Sequence, residues 1–182
     1  MPRLRIIGCS GSGKSTLARE IHQRLGLPWL ELDSLHHQPD WTPLEPGRFR
    51  AAVVEFMDAH RDWVIDGNYP LVSDLVDPRC TDLAWLDVPL PRVLWQLGGR
   101  SVVRLVRRTE LWNGNRERLR DHLSLDPERS VLLWATGTHR SFPARFRSLV
   151  AAPELAHLRF HRIRGRREIA RLVDSMASGG RG

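Results

Sequence analysis

The sequence predicts an α/β fold, a three-layer α/β/α sandwich on a five-stranded parallel sheet. Three observations predict it. Apolar strand-like runs alternate with amphipathic helical patterns along nearly the whole chain, the order of a parallel sheet covered on both faces. A glycine-rich loop joins the first strand to the first helix. Two strand-like runs end in aspartate at a break, where open α/β sheets bind ligands.

Leu4-Arg5-Ile6-Ile7 is a short apolar run, read as a buried strand. From Thr16 a helical pattern begins, with Leu17, Ile21 and Leu25 on one face. Pro28 to Asp33 reads as a second strand ending in a carboxylate. Pro46 to His60 is a helix whose apolar side carries Phe49, Val53, Phe56 and Met57. Trp63-Val64-Ile65-Asp66 is a third strand, Leu83 to Val88 a fourth, and Leu90 to Arg108 a long helical pattern. Ser130 to Val150 holds one or two further helical segments, with Pro143 as a break. Leu158 to Ile163 is a fifth strand and Arg166 to Met176 a last helix. The expected unit is one domain over residues 1–178, followed by a disordered tail at 179–182.

Between the first strand and first helix stands Gly8-Cys9-Ser10-Gly11-Ser12-Gly13-Lys14-Ser15-Thr16, which fits G-x-x-x-x-G-K-[ST], the phosphate-binding P-loop. Glycines let backbone N–H groups point inward, and a helix N-terminus adds partial positive charge, so such a loop binds polyphosphate. All nine residues from Gly8 to Thr16 are expected to hold ATP. Lys14 is the only lysine among 28 basic residues. A compact ammonium threads between β- and γ-phosphates where a planar guanidinium does not fit. The Ser15 hydroxyl is expected on Mg²⁺.

The chain has 182 residues and a formal net charge of +7, carried by arginine. Such a balance suits phosphorylated small molecules or nucleic acid and does not choose between them. Cys9 and Cys80 give neither a disulfide framework nor a metal spacing. Cys9 is either a small loop residue or a thiol activated by the helix N-terminus. No signal peptide or membrane-length apolar run is seen, so the expected location is the cytosol, without membrane attachment, as monomer or homodimer.

Asp33 and Asp66 lie at strand ends beside the loop. Asp66 can hold a water of the Mg²⁺ shell, or simply form an Asp-Gly turn. Asp33 can orient or deprotonate an acceptor hydroxyl, or cap the next helix. His36 and His37 complete no metal spacing, and pocket lining is the expectation. Asp33, His36, Asn68 and Tyr69 form the expected acceptor side, within a segment at about 33–62. Seven arginines (Arg100, Arg104, Arg107, Arg108, Arg116, Arg118 and Arg120) crowd residues 100–120. Four share helical spacing, and Trp112-Asn113-Gly114-Asn115 interrupts them with turn chemistry. They form either a lid that brings Arg104 or Arg108 to the transferring phosphoryl group, or a solvated basic face.

These residues together resemble the adenylate-kinase-like P-loop kinases and, more narrowly, the DNA topology modulation proteins. The resemblance spans Arg3 to Asp174. It rests on Gly8 to Thr16, on Leu32-Asp33-Ser34-Leu35 with Trp41 close after, on Trp63 to Tyr69, on Leu86-Asp87-Val88-Pro89, and on the arginines of 100–108. It implies a P-loop NTPase sheet in the order 2-3-1-4-5, an acceptor-binding segment after the second strand and a lid after the fourth strand's helix. Nucleoside monophosphate kinases carry Asp-Gly-Phe-Pro-Arg where this chain has Asp66-Gly67-Asn68-Tyr69, so the arginine that grips an acceptor phosphate is absent. Asp33 resembles the carboxylates of shikimate and gluconate kinases. Guanine-specific GTPases are disfavoured, because no lysine remains for Asn-Lys-x-Asp. The expected function is ATP- and Mg²⁺-dependent phosphoryl transfer to a small-molecule acceptor. In that reading Lys14 bridges the phosphates, Asp33 serves the acceptor, and Ser15 and Asp66 serve the metal. The alternative is an ATP-binding regulator or nucleic-acid-associated protein with little turnover.

Overall fold

Three strands of this protein are buried at essentially every position. Burial on both sides of a strand is what helices on both faces of a parallel sheet produce. The structure is a computed structural model that describes residues 2–107, 111–115 and 131–179. Its strands are β1 (Arg3–Gly8), β2 (Trp29–Glu31), β3 (Trp63–Asp66), β4 (Asp82–Leu86) and β5 (Arg159–Ile163). They form one parallel sheet in the order β2-β3-β1-β4-β5. β1 sits at the centre. Its Leu4, Ile6 and Ile7 join Val64, Ile65, Leu83 and Ala84 in the core. β2 and β5 are the edges and are only partly covered.

The longer helices are α1 (Lys14–Leu25), α3 (Pro46–Ala59), α5 (Leu90–Arg107), α6 (Val131–Ala151) and α7 (Arg166–Gly179). Between them lie the short α2 (Leu32–His36) and α4 (Ser73–Val76). α1 buries Leu17, Ala18 and Ile21, and α3 buries Phe49, Val53 and Met57, the faces their spacing predicts. Glu45 starts α3 by accepting the N–H groups of Gly47 and Arg48, at 2.8 Å each. Among the described residues no helix is long and apolar enough to cross a membrane.

Three expectations are corrected. β2 stops at Glu31, and Asp33 lies in the first turn of α2 rather than at a strand end. The Ser34 hydroxyl donates to the Glu31 carbonyl at 2.7 Å and turns the chain into that helix. Pro143 does not break its helix. α6 runs through it, with Phe142 and Phe146 buried on either side, so packing offsets a proline cost of ~3 kcal/mol. The last helix continues to Gly179, and residues 180–182 lie outside the described part.

Two buried ionic groups tie the sheet to its surroundings. Arg5 on β1 is 1% exposed; its guanidinium pairs with Asp77 and donates to the Ser73 hydroxyl at 3.1 Å. Breaking such a pair strands a buried charge, which costs about 3–5 kcal/mol. Asp77→Ala should therefore lower the urea midpoint by that equivalent. The double variant Arg5→Met with Asp77→Leu should be far less damaged. Equal loss in both would mean that packing, not the stranded guanidinium, sets the cost.

Asp82, fully buried on β4, accepts bonds from Thr81 (2.8 Å), Arg159 (2.8 Å) and His161 (2.7 Å). Burial alone pushes its carboxyl up. The three bonds outweigh burial and hold it at about 2, below the ordinary 3.8. A carboxylate depressed in the folded state stabilises the fold above its ordinary value and loses that contribution as pH falls toward the folded value. Wild-type urea midpoints should therefore fall as pH drops from about 4 to about 2. Asp82→Asn should be less stable at pH 7 and flatter across that window. A variant that tracks the wild type there removes Asp82 as the cause.

Candidate active site

β1 delivers the chain at Gly8 into the phosphate loop. Gly13 then stands at the N-cap of α1 with φ 96° and no side chain capping it. The first helical bond runs from the Leu17 N–H to the Gly13 carbonyl at 3.0 Å. The N–H groups of Lys14, Ser15 and Thr16 therefore face outward without intrahelical partners, as an anion site requires. The Ser12 hydroxyl is buried in the loop with no hydrogen-bond partner among the described residues. Lys14 folds back over the loop, its ammonium donating to the Cys9 carbonyl at 3.3 Å. Open donors, an orphaned hydroxyl and a nearby ammonium fit a polyphosphate. Cys9 itself is buried, and burial pushes its thiol up against the opposing pull of Lys14, which favours the small-loop-residue reading over the activated thiol.

The structure brings Ser15 and Asp66 together. The Ser15 hydroxyl donates to Asp66 Oδ2 at 2.7 Å. Asp66 is 2% exposed at the end of β3. Its Oδ1 accepts the indole N–H of Trp29 at 2.9 Å, a contact the sequence reading missed. Burial raises the Asp66 carboxyl to about 6, while the bonds from Trp29 and Ser15 pull down, Glu31 pushes up and Lys14 pulls down. A hydroxyl and a carboxylate form a hard oxygen donor set, which fits Mg²⁺.

Asn68, expected on the acceptor side, has both of its side-chain polar atoms on the Gly8 backbone. Its Oδ1 accepts the Gly8 N–H at 3.1 Å and its amide donates to the Gly8 carbonyl, so the side chain pins the end of β1 as it enters the loop. Tyr69 points the other way and donates its hydroxyl to Asp33 Oδ1 at 2.7 Å. The N-cap of α2 is Glu31, so Asp33 is not its cap residue. Burial pushes the Tyr69 hydroxyl up, and Asp33, Glu31 and Asp66 add to it, so Tyr69 is a fixed donor. The His36 ring packs on Phe49, Tyr69 and His37, at centroid distances of 5.7, 4.8 and 5.0 Å, and its Nδ1 is buried with no hydrogen-bond partner among the described residues. Burial lowers both His36 and His37 against the opposing charge of Asp33. Among the described residues no metal-binding cluster of His, Cys, Asp and Glu forms.

The turn at 111–115 does not stand away from the acceptor segment. It docks on it. The Trp112 indole N–H donates to Glu31 Oε2 at 2.8 Å, and its ring stacks on His37 at 5.5 Å. Asn113 donates to the His37 carbonyl at 2.6 Å. Asn115 is 4% exposed; it donates to the Gln38 carbonyl at 2.9 Å and accepts the Trp41 N–H at 2.9 Å. Glu31 is thus a further carboxylate in the site. It is in register with Asp66 on the neighbouring strand, so both side chains emerge on one face. The signal available in sequence was its place two residues before Asp33. Arg104 lies on α5, and Arg108 lies outside the described residues.

No family model matches the chain. It is 31% identical over 130 residues to a shikimate kinase of Paracidovorax citrulli (strain AAC00-1), an alignment that covers 69% of this chain and 57% of that protein. The chain thus spans little more than half the length of that curated relative. Two solved structures share its architecture end to end. A gluconokinase from Sinorhizobium meliloti 1021 matches with a TM-score of 0.50 at 16% identity, over 98% of this chain and 97% of that one. A shikimate kinase from Acinetobacter baumannii in complex with shikimate matches with a TM-score of 0.53 at 13% identity, over 98% and 92%. The fold is that of the P-loop kinases.

The Asn68 pin generates a prediction. Asn68→Ala strips two partners from the Gly8 backbone and should cost roughly 1–3 kcal/mol of stability. It should also weaken ATP binding, because the loop entrance is released. A variant with unchanged stability and ATP affinity, measured by urea unfolding and calorimetry, would return Asn68 to the acceptor side.

Proposed function

We propose that this protein is an ATP- and Mg²⁺-dependent phosphotransferase acting on a hydroxyl of a polyhydroxylated small molecule. One arrangement carries the reading: an uncapped helix N-terminus with Lys14, and the Ser15–Asp66 pair, beside the carboxylates of Asp33 and Glu31, each with one oxygen open among the described residues. Among the described residues, Tyr69 bonds Oδ1 of Asp33 and Trp112 bonds Oε2 of Glu31, and the other oxygen of each carboxylate has no partner. An ionised carboxylate is acceptor-only, so it suits hydroxyl donors and opposes phosphorylated ones. The relatives named as shikimate kinase and gluconokinase support the same class. The narrower resemblance to the topology modulation proteins rests on sequence elements alone.

In this reading the open N–H groups of α1 hold the phosphates, and Lys14 swings from Cys9 onto the β- and γ-oxygens. Ser15 and Asp66 hold Mg²⁺, which when bound neutralises phosphate charge. Asp33 orients the acceptor hydroxyl and takes its proton. The acceptor oxygen forms the new bond to the γ-phosphorus as the bond to the bridging oxygen breaks, leaving ADP. Glu31 holds a second hydroxyl. Arg104 or Arg108 stabilises the charge on the transferring group.

The test is coupled ADP release with ATP, Mg²⁺ and a panel of shikimate, D-gluconate and neutral polyols. Turnover should require an acceptor. Lys14→Ala should lower it by roughly 10²-fold or more, and Lys14→Arg should not restore it. Asp33→Asn and Glu31→Gln should keep ATP affinity, the first losing transfer and the second raising the acceptor KM. Efficient phosphorylation of AMP instead would overturn the acceptor class. ATP binding without acceptor-dependent turnover, joined to salt-steep nucleic-acid binding, would favour the regulatory alternative.

A further inference from the structure

We propose that Trp29 is a positioning residue for the metal-binding carboxylate, holding Asp66 Oδ1 so that Oδ2 remains on Ser15 and the pair is presented together. This rests on the reading that Ser15 and Asp66 hold Mg²⁺.

Asp66 is sealed from solvent, and its side chain has two recorded bonds, one to each oxygen. A carboxylate turns freely about the bond to its Cβ unless both oxygens are tied. The Ser15 bond alone fixes a distance. The Trp29 bond on the opposite oxygen fixes the plane. Indole nitrogen is donor-only, so Trp29 can hold a carboxylate but cannot itself ligate a cation. Its contribution is therefore orientation.

The donor is itself held. Trp29 opens β2 in register with Val64, two residues before the Glu31–Asp66 pair, so it emerges on the Asp66 side of the sheet. The Arg19 guanidinium lies over its ring at 5.7 Å, and the His22 ring stands tilted at 6.4 Å. Both belong to α1, the helix that also carries Ser15. The indole therefore ties the carboxylate of β3 to the helix that supplies the other metal-binding oxygen. Asp66 would meet the metal already oriented, as electrostatic preorganisation requires.

The experiment is calorimetric ATP binding across a Mg²⁺ series, for wild type, Trp29→Phe and Trp29→His, each checked for folding by its thermal transition. Trp29→Phe keeps an aromatic body and removes the donor. Its Mg²⁺ concentration for half-maximal ATP affinity should rise by about tenfold, with Mg²⁺-free ATP affinity unchanged. Trp29→His keeps a ring N–H and should recover part of the response. A Trp29→Phe protein with the wild-type Mg²⁺ response overturns the proposal. So does an equal loss of ATP affinity with and without Mg²⁺, which marks a packing role. A wild type whose ATP binding ignores Mg²⁺, or a Ser15→Ala variant that keeps the full Mg²⁺ response, would instead overturn the metal site and this inference with it.

Discussion

Asp66 is buried at the end of β3 with one hydrogen bond on each carboxylate oxygen, and the surrounding structure is arranged around that burial. β3 lies between β1 and β2, so its C-terminal end opens onto the phosphate loop on one side and α2 on the other. Four consecutive residues use that position. Asp66 takes Ser15 and Trp29. Gly67 turns the chain with φ 140°, where a Cβ would stand 2.7 Å from that of Leu32. Asn68 reaches back to Gly8, and Tyr69 reaches forward to Asp33. A larger residue at 67 would displace α2 and with it the direction of both side chains that follow.

The three carboxylates of the site share a construction. Trp29 serves Asp66, Tyr69 serves Asp33, and Trp112 serves Glu31. Each donor is the polar tip of a flat, largely apolar body. Such a group displaces water while giving up few rotamers, so it orients a carboxylate without solvating it. The two histidines nearby are lowered by burial and add little charge. The surroundings of these three carboxylates therefore stay electronegative, in contrast to the loop and the arginine-bearing helix that follows β4.

Much of this was legible in the sequence, for an identifiable reason. The phosphate loop is local: its glycines, lysine and hydroxyl act within nine residues, and flanking periodicity fixes strand and helix. The order of the strands came with the resemblance those motifs carry. What escaped was long-range. Asn68 was assigned by its place after a strand, yet an amide takes whichever backbone the tertiary fold offers, and here that is Gly8, 60 residues away. Trp112 and Asn115 read as turn chemistry, and they are, but their partners lie 81 and 77 residues upstream. Nothing local in the run Leu4-Arg5-Ile6-Ile7 names a partner for Arg5; Asp77, beyond two intervening strands in sequence, makes it part of the core.

The solitary lysine has a chemical corollary. Lys14 begins α1 at the mouth of the phosphate loop, with its ammonium resting on the Cys9 carbonyl. The chain offers no other side-chain primary amine. A reagent or modifying enzyme that acylates lysine therefore has one side-chain target, and it is the residue at which the phosphates are expected. Surfaces of ordinary composition spread such labelling over many positions. Here arginine carries the surface charge and is inert to it, so labelling of side-chain amines would report on the loop alone. ATP in the loop would protect the whole lysine complement of the protein at once.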